Sequence, residues 1–203
     1  MNRITFMVLA TGLTLAACNE ASEQRTENAA ESVAATAEAA GDRVENAADN
    51  AIAAITPTPS AQEFVNKAAK SDAFEIAAAK LAATNATSAE VKAFAQQMIK
   101  AHTDSSAKIK AAAGKAKPAV TIDAALTSDQ KEDLAELKAL TGAKFDEEYI
   151  DGQVDAHEDA LALMRSYASG GTDSALKTAA GEIASVVEGH LKTARDLEKK
   201  TDR

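Results

Sequence analysis

Gly114-Lys115-Ala116-Lys117-Pro118-Ala119-Val120-Thr121-Ile122-Asp123-Ala124-Ala125-Leu126 is the one long link between Ser60 and Arg203, and its position decides the fold. On either side the chain reads as helix, with start and stop signals close together. Ser60-Ala61-Gln62-Glu63 is a capping box, in which the serine and glutamate side chains bind the free amides of a helix start. Thr87-Ser88-Ala89-Glu90 and Thr127-Ser128-Asp129-Gln130 repeat the pattern. Gly142 and the pair Gly170-Gly171 fall where helices should stop, Gly170-Gly171 as helix-end chemistry. These signals predict helices over 61–84, 88–113, 128–140, 143–168 and 173–199.

Composition agrees. About a quarter of the chain is alanine, the best helix former, while 9 Gly and 3 Pro leave few turns for an all-β fold. With no Trp and 3% aromatics, the core must be built from small side chains that let helices approach closely. Four long helices with one long crossover between the second and third, here carrying the short helix 128–140, is the ferritin-like bundle arrangement. The expected fold is therefore an all-α, ferritin-like four-helix bundle over 60–203.

The N-terminal part is different in kind. Arg3, an apolar run from Ile4 to Leu15, and Leu15-Ala16-Ala17-Cys18 resemble a bacterial lipoprotein signal ending in a lipobox. The resemblance implies removal of residues 1–17 and acylation of Cys18, the only cysteine, which anchors the protein without a transmembrane helix. Asn19 is not the aspartate that retains many such proteins in the inner membrane, so the outer membrane, facing the periplasm, is the expected location. Residues 18–59 form an Ala-, Glu- and Asn-rich, partly helical spacer; Val33, Val44 and Ile55 recur every eleven residues on one face. That thin stripe suits a solvated spacer first, and weak self-association or docking to an envelope protein second. The net charge of −9 argues against nucleic acid and favours cations as small ligands.

Only three histidines occur, one in each of three long helices: His102, His157 and His190. Each shares a face with apolar residues, among them Phe94 and Met98, Val154 and Leu161, and Ile183 and Val187 respectively. The first helix places Glu75 on the stripe of Phe64, Ala68 and Ala79. All four residues lie near mid-helix, so one carboxylate and three imidazoles can meet in a central layer, with an axial mismatch of about 6 Å. Such a set suits one divalent transition metal ion. The same residues also suit a buried polar layer that fixes helix register, with Glu75 paired to a histidine. Residues Ile99, Val154 and Val187 stand three before the histidines, so the Glu-x-x-His pairs of di-iron bundles are missing and a dinuclear oxidase centre is not expected.

A family resemblance rests on Phe64-Val65, Glu75 with Leu81-Ala82, Val91 to Ile99 leading to His102, Leu140 to Tyr149, Val154-Asp155-Ala156-His157, and His190-Leu191 with Ala194 and Leu197. Over about 62–197 these stretches resemble the ferritin-like domain-of-unknown-function family forty-one forty-two, described as outer membrane proteins. The resemblance implies the fold and an envelope location, and supplies no reaction. The family commonly has an acidic residue just before each of the first two histidines; Ala101 and Ala156 stand there, removing those positions as acidic partners of the imidazoles. No nucleophile has a visible base partner and no glycine-rich phosphate loop follows a strand, so no enzyme is expected. Lys108, Lys110, Lys115 and Lys117 suit the end of the second helix, with an anionic envelope polymer as the lesser reading. Two functional expectations follow: an envelope-anchored bundle that buffers or sequesters a metal ion, in a role tied to envelope stress, or a non-catalytic structural or interaction lipoprotein.

Overall fold

In the computed structural model, which describes residues 58–201, five helices and no strands are found. Cys18, the signal-like run and the stripe of Val33, Val44 and Ile55 lie outside the described residues. The helices are α1 (Ala61–Asn85), α2 (Ala89–Ala113), α3 (Ser128–Ala139), α4 (Ala143–Gly170) and α5 (Ser174–Thr201). Each boundary falls within two residues of its sequence expectation. None of the described helices is long and apolar enough to cross a membrane.

Local chemistry accounts for the ends. The boxes at Ser60/Glu63 and Thr127/Gln130 form as read. The middle one does not. Ser88, not Thr87, caps α2 and accepts from the Val91 N–H, leaving Glu90 free to pair with Lys200 at 2.9 Å. The cause is Asp146 at the start of α4, whose buried carboxylate accepts the N–H groups of Thr87 (3.1 Å) and Ser88 (2.8 Å). A distant carboxylate thus does the work assigned to Glu90. Gly171 is likewise needed for closeness rather than for backbone freedom. Its φ is −60°, and a Cβ there would lie 2.5 Å from the Tyr167 carbonyl oxygen and 2.6 Å from its ring. Among the described residues only Gly142 has a positive φ, 69°.

Polar contacts fix the helix directions. The link after α2 runs back along α1: Thr121 N–H donates to Gln62, Asp123 N–H to Asn66, Gln130 to the Lys70 carbonyl, and Gly142 N–H to the Asn85 carbonyl. So α4 starts where α1 ends. At the opposite end Lys117 N–H reaches Asp173 ahead of α5, and back at the first end Lys200, near the end of α5, reaches Glu90 at the start of α2. Counting α1 as up, the long helices therefore run up, down, down, up. The four surround one core in the cyclic order α1, α2, α5, α4, with packing more extensive inside the pairs α1–α2 and α4–α5 than between them.

Aromatic residues close the two ends of that core. Phe64 stacks on Tyr167 with centroids 4.0 Å apart, and Phe145 lies against Tyr149 at the other end. Between them alanines such as Ala68, Ala78, Ala79 and Ala180 bring the helices close, and a polar layer occupies the middle.

Candidate metal centre

Helical spacing alone delivers the polar layer. On α1 the buried positions Phe64, Ala68, Asp72, Glu75 and Ala79 advance by four, four, three and four, so both acids face the core. On α2 Met98, His102 and Ser105 continue one stripe, and on α4 Tyr149, Gln153, His157 and Leu161 do the same. His190, half-buried, follows Ile183 and Val187 on α5.

The three histidines meet. Ring centroids are 5.6 Å apart for His102–His157 and His157–His190, and 6.2 Å for His102–His190. One potential ligand nitrogen from each lies within 4.8 Å of the others. Two of the rings are aimed by bonds at their other nitrogens. His102 Nδ1–H donates to Asp72 Oδ1 at 2.8 Å, and Asp72 Oδ2 accepts from Ser106 Oγ at 2.9 Å. His157 Nδ1–H donates to the Gln153 carbonyl at 2.8 Å. Both Nε2 atoms are left buried without a hydrogen-bond partner, as is Nδ1 of His190. Buried polar atoms are rarely left unbonded, and three together on imidazoles are a donor set without an acceptor.

Glu75 departs from the expectation. Its side chain is buried in the same region, but it stands outside the group of mutually close ligand atoms. What Glu75 does bind is Gln153, whose amide donates to its Oε2 at 2.5 Å. Oε1 remains without a partner. Asp72, which the sequence reading passed over, is the acid that orients a ring. It reaches His102 across helices, so Ala101 in the preceding position does not cost the site its acidic partner. A signal was available: Asp72 lies on the Phe64–Ala79 stripe, one turn before Glu75.

Electrostatics separates the three rings. Burial, aided by the charge on His102, depresses His157 to about 3 and His190 to about 4, so both are neutral at physiological pH. Burial also works against a charged His102, but its bond to Asp72 and the nearby Glu75 and Asp72 carboxylates outweigh it and raise the pKa. Burial pushes Glu75 up, against the pull of His102 and Gln153. Three imidazole nitrogens meet beside the carboxyl side chains of Asp72 and Glu75, so the site is rich in nitrogen ligands with acidic groups next to it. The chemistry of the donor set thus fits a transition metal that accepts nitrogen ligands. The arrangement also has the acid–imidazole orientation common to such sites.

Residues 44–197 match the family described as Domain of unknown function (DUF4142). The match begins upstream of the capping box at Ser60, so it includes part of the segment read as spacer. No curated protein and no solved structure shows significant similarity to the chain. Since the match takes in most of the chain, including both acids and all three histidines, the protein belongs to the DUF4142 family.

Proposed function

We propose that this protein is a lipid-anchored envelope protein whose helical bundle binds one divalent transition metal ion through His102, His157 and His190. Its role is then to buffer or sequester that ion rather than to catalyse a reaction. The observation that carries the reading is the convergence of three imidazoles, two buried and one half-buried, within 4.8 Å by one nitrogen each, with Nε2 of His102 and His157 and Nδ1 of His190 having no hydrogen-bond partner. Asp72 holds the His102 ring in position, and the neighbouring Asp72 and Glu75 carboxyls favour positive charge there. A bundle of ferritin-like type, with one carboxylate pair on α1 and a histidine on each other long helix, is the scaffold this reading assumes.

A purely register-fixing polar layer is a poorer account. Such a layer stabilises by satisfying its own atoms, whereas Glu75 Oε1, Gln153 Oε1, Tyr149 OH and the imidazole nitrogens are buried without partners. The anchoring part of the proposal rests on the lipobox-like run ending at Cys18.

The test is elemental analysis of protein purified without a histidine tag or chelator. About one equivalent of a transition metal, lost in His157→Ala, is expected. Metal-free protein whose melting temperature ignores added Zn, Cu, Fe and Mn would overturn the metal reading. For the anchor, Cys18→Ser should lose detergent partitioning and shift in gel mobility; a variant that still partitions refutes lipidation.

A further inference from the structure

A cavity of about 380 Å³ opens beside the histidines, and two of them, His102 and His190, form part of its wall. Its size falls in the range of roughly 300–1,000 Å³ typical of small-molecule sites. The rest of the wall is mainly apolar, from Ala68, Leu163, Met164, Ile183 and Val187 among others. Val186 stands at the lip, and its 46% exposure is the highest among the large apolar side chains of the described residues. Ser105, only 8% exposed, also lines the cavity, and its hydroxyl has no hydrogen-bond partner. Two ion pairs flank the space, Lys100–Asp104 along α2 and Lys108–Glu182 from α2 to α5.

The chamber has a simple origin. Ala68, Ala101 and Ala160 come from three different helices and all line it, and side chains this short leave space unfilled. Larger residues there would close it, as the aromatic residues do at the bundle ends. The result is a mainly apolar cavity whose wall also carries Asp72, His102, Ser105 and His190. We infer that it binds a medium-chain organic amphiphile, an aliphatic chain with a single carboxylate head, whose chain lies along the apolar wall and whose head meets Ser105 and the histidine-bound metal. This rests on the proposed metal site only for the head; the apolar chain is read from the cavity itself. The carboxylate is the charged head that a three-imidazole metal and a serine hydroxyl can both hold, and the rim lysines, each paired with an acid, leave its entry neither favoured nor opposed.

The experiment is isothermal titration of hexanoate, octanoate, decanoate and dodecanoate into zinc-loaded and metal-free protein, with decanol as the uncharged control. Affinity should rise about fourfold per added methylene until the chain fills the cavity, because each buried methylene contributes a constant increment. Decanoate should exceed decanol with zinc present and lose most of that advantage without it. Ser105→Ala should weaken decanoate about tenfold while leaving zinc binding intact. Val186→Trp, which closes the lip, and Val186→Arg, which charges it, should each abolish the chain-length series at unchanged helicity and unchanged zinc binding.

The two readings fail separately. If zinc does not bind but decanol does, and the lip variants remove it, the metal site falls and the apolar chamber stands. If zinc binds and no member of the series does, or binding ignores chain length and both lip variants, the amphiphile inference is overturned. Self-association in sedimentation that Val186→Arg abolishes overturns it as well, since the lip would then be a contact between copies.

Discussion

Replacing Asp72 by Asn separates the charge of the orienting acid from its geometry. The Asn carbonyl can still accept from His102 Nδ1–H, where Oδ1 now sits at 2.8 Å, and its amide can donate to Ser106 Oγ, now 2.9 Å from Oδ2. Shape and bonding survive; the negative charge does not. Loss of such a partner typically lowers metal affinity about 10–100-fold. At zinc 100 times the wild-type Kd, binding stabilises the wild type by about 2.7 kcal/mol. At the same zinc the variant gains only about 0.4–1.4 kcal/mol. For a domain of this size, at roughly 4 °C per kcal/mol, the zinc-induced rise in Tm falls from about 11 °C to about 2–6 °C. The readout is that increment between chelated and zinc-loaded samples, so any change in metal-free stability cancels. Calorimetric melts of both proteins, with chelator and with zinc, suffice. An Asp72→Asn increment equal to the wild-type value would refute the role given to Asp72, and His157→Ala, which should show no increment, is the control for the site itself.

Three further outcomes test the scaffold. Asp146→Ala leaves the Thr87 and Ser88 amides without their acceptor, and hydrogen bonds to a charged group contribute about 1.5–3 kcal/mol each, so denaturant melts should show a loss of about 3 kcal/mol or more. Gly171→Ala and Gly152→Ala should move stability in opposite directions: the first drives a Cβ to within 2.5 Å of the Tyr167 carbonyl and should cost about 1–3 kcal/mol, while the second meets nothing within 4 Å inside α4 and should gain about 0.5–1 kcal/mol. Asp173 accepts from the backbone N–H groups of Leu176, Ala175 and Lys117, and these bonds hold its folded-state pKa below the ordinary value. Its contribution is therefore complete above the unfolded pKa and disappears as pH falls through the lower folded one. Asp173→Asn should flatten the acid limb of Tm against pH below about pH 4, and an unchanged limb would show that the cap is not titrating there.

What could be read from sequence was whatever obeys a local rule. Helix starts at Ser60 and Thr127 follow from side chains within one turn, and the long link at 114–126 follows from the absence of helix signals. The histidines were legible because three rare residues each fell on an apolar stripe. What escaped depends on distant parts of the chain. Glu90 has the right spacing for a capping box, yet Asp146, far along the chain, takes the amide first. Glu75 has the right face and depth, yet its carboxylate is bound by Gln153, a partner on a distant helix. Asp72 was within reach of the same stripe rule that found Glu75, since it stands one turn earlier on that face; its partner His102 lies on a different helix, which local spacing does not show.

The division of groups among the helices carries a mechanical consequence. Both acids lie on α1, while the imidazoles come one each from α2, α4 and α5. His102 belongs to the first helical hairpin; His157 and His190 belong to the second. The hairpins pack more extensively within themselves than against each other. A metal held by all three rings therefore ties together the weaker seam, and the side chains beside it are small ones such as Ala68, Ala101 and Ala160. Metal removal should loosen that seam before it unfolds either hairpin. Amide hydrogen exchange gives the test: with chelator, protection should fall first at central positions of α2 and α5 around His102 and His190, while the ends held by Phe64–Tyr167 and Asp146 keep theirs. Uniform loss along all four helices would instead mean that the metal stabilises the bundle globally and that the seam is not a separate unit.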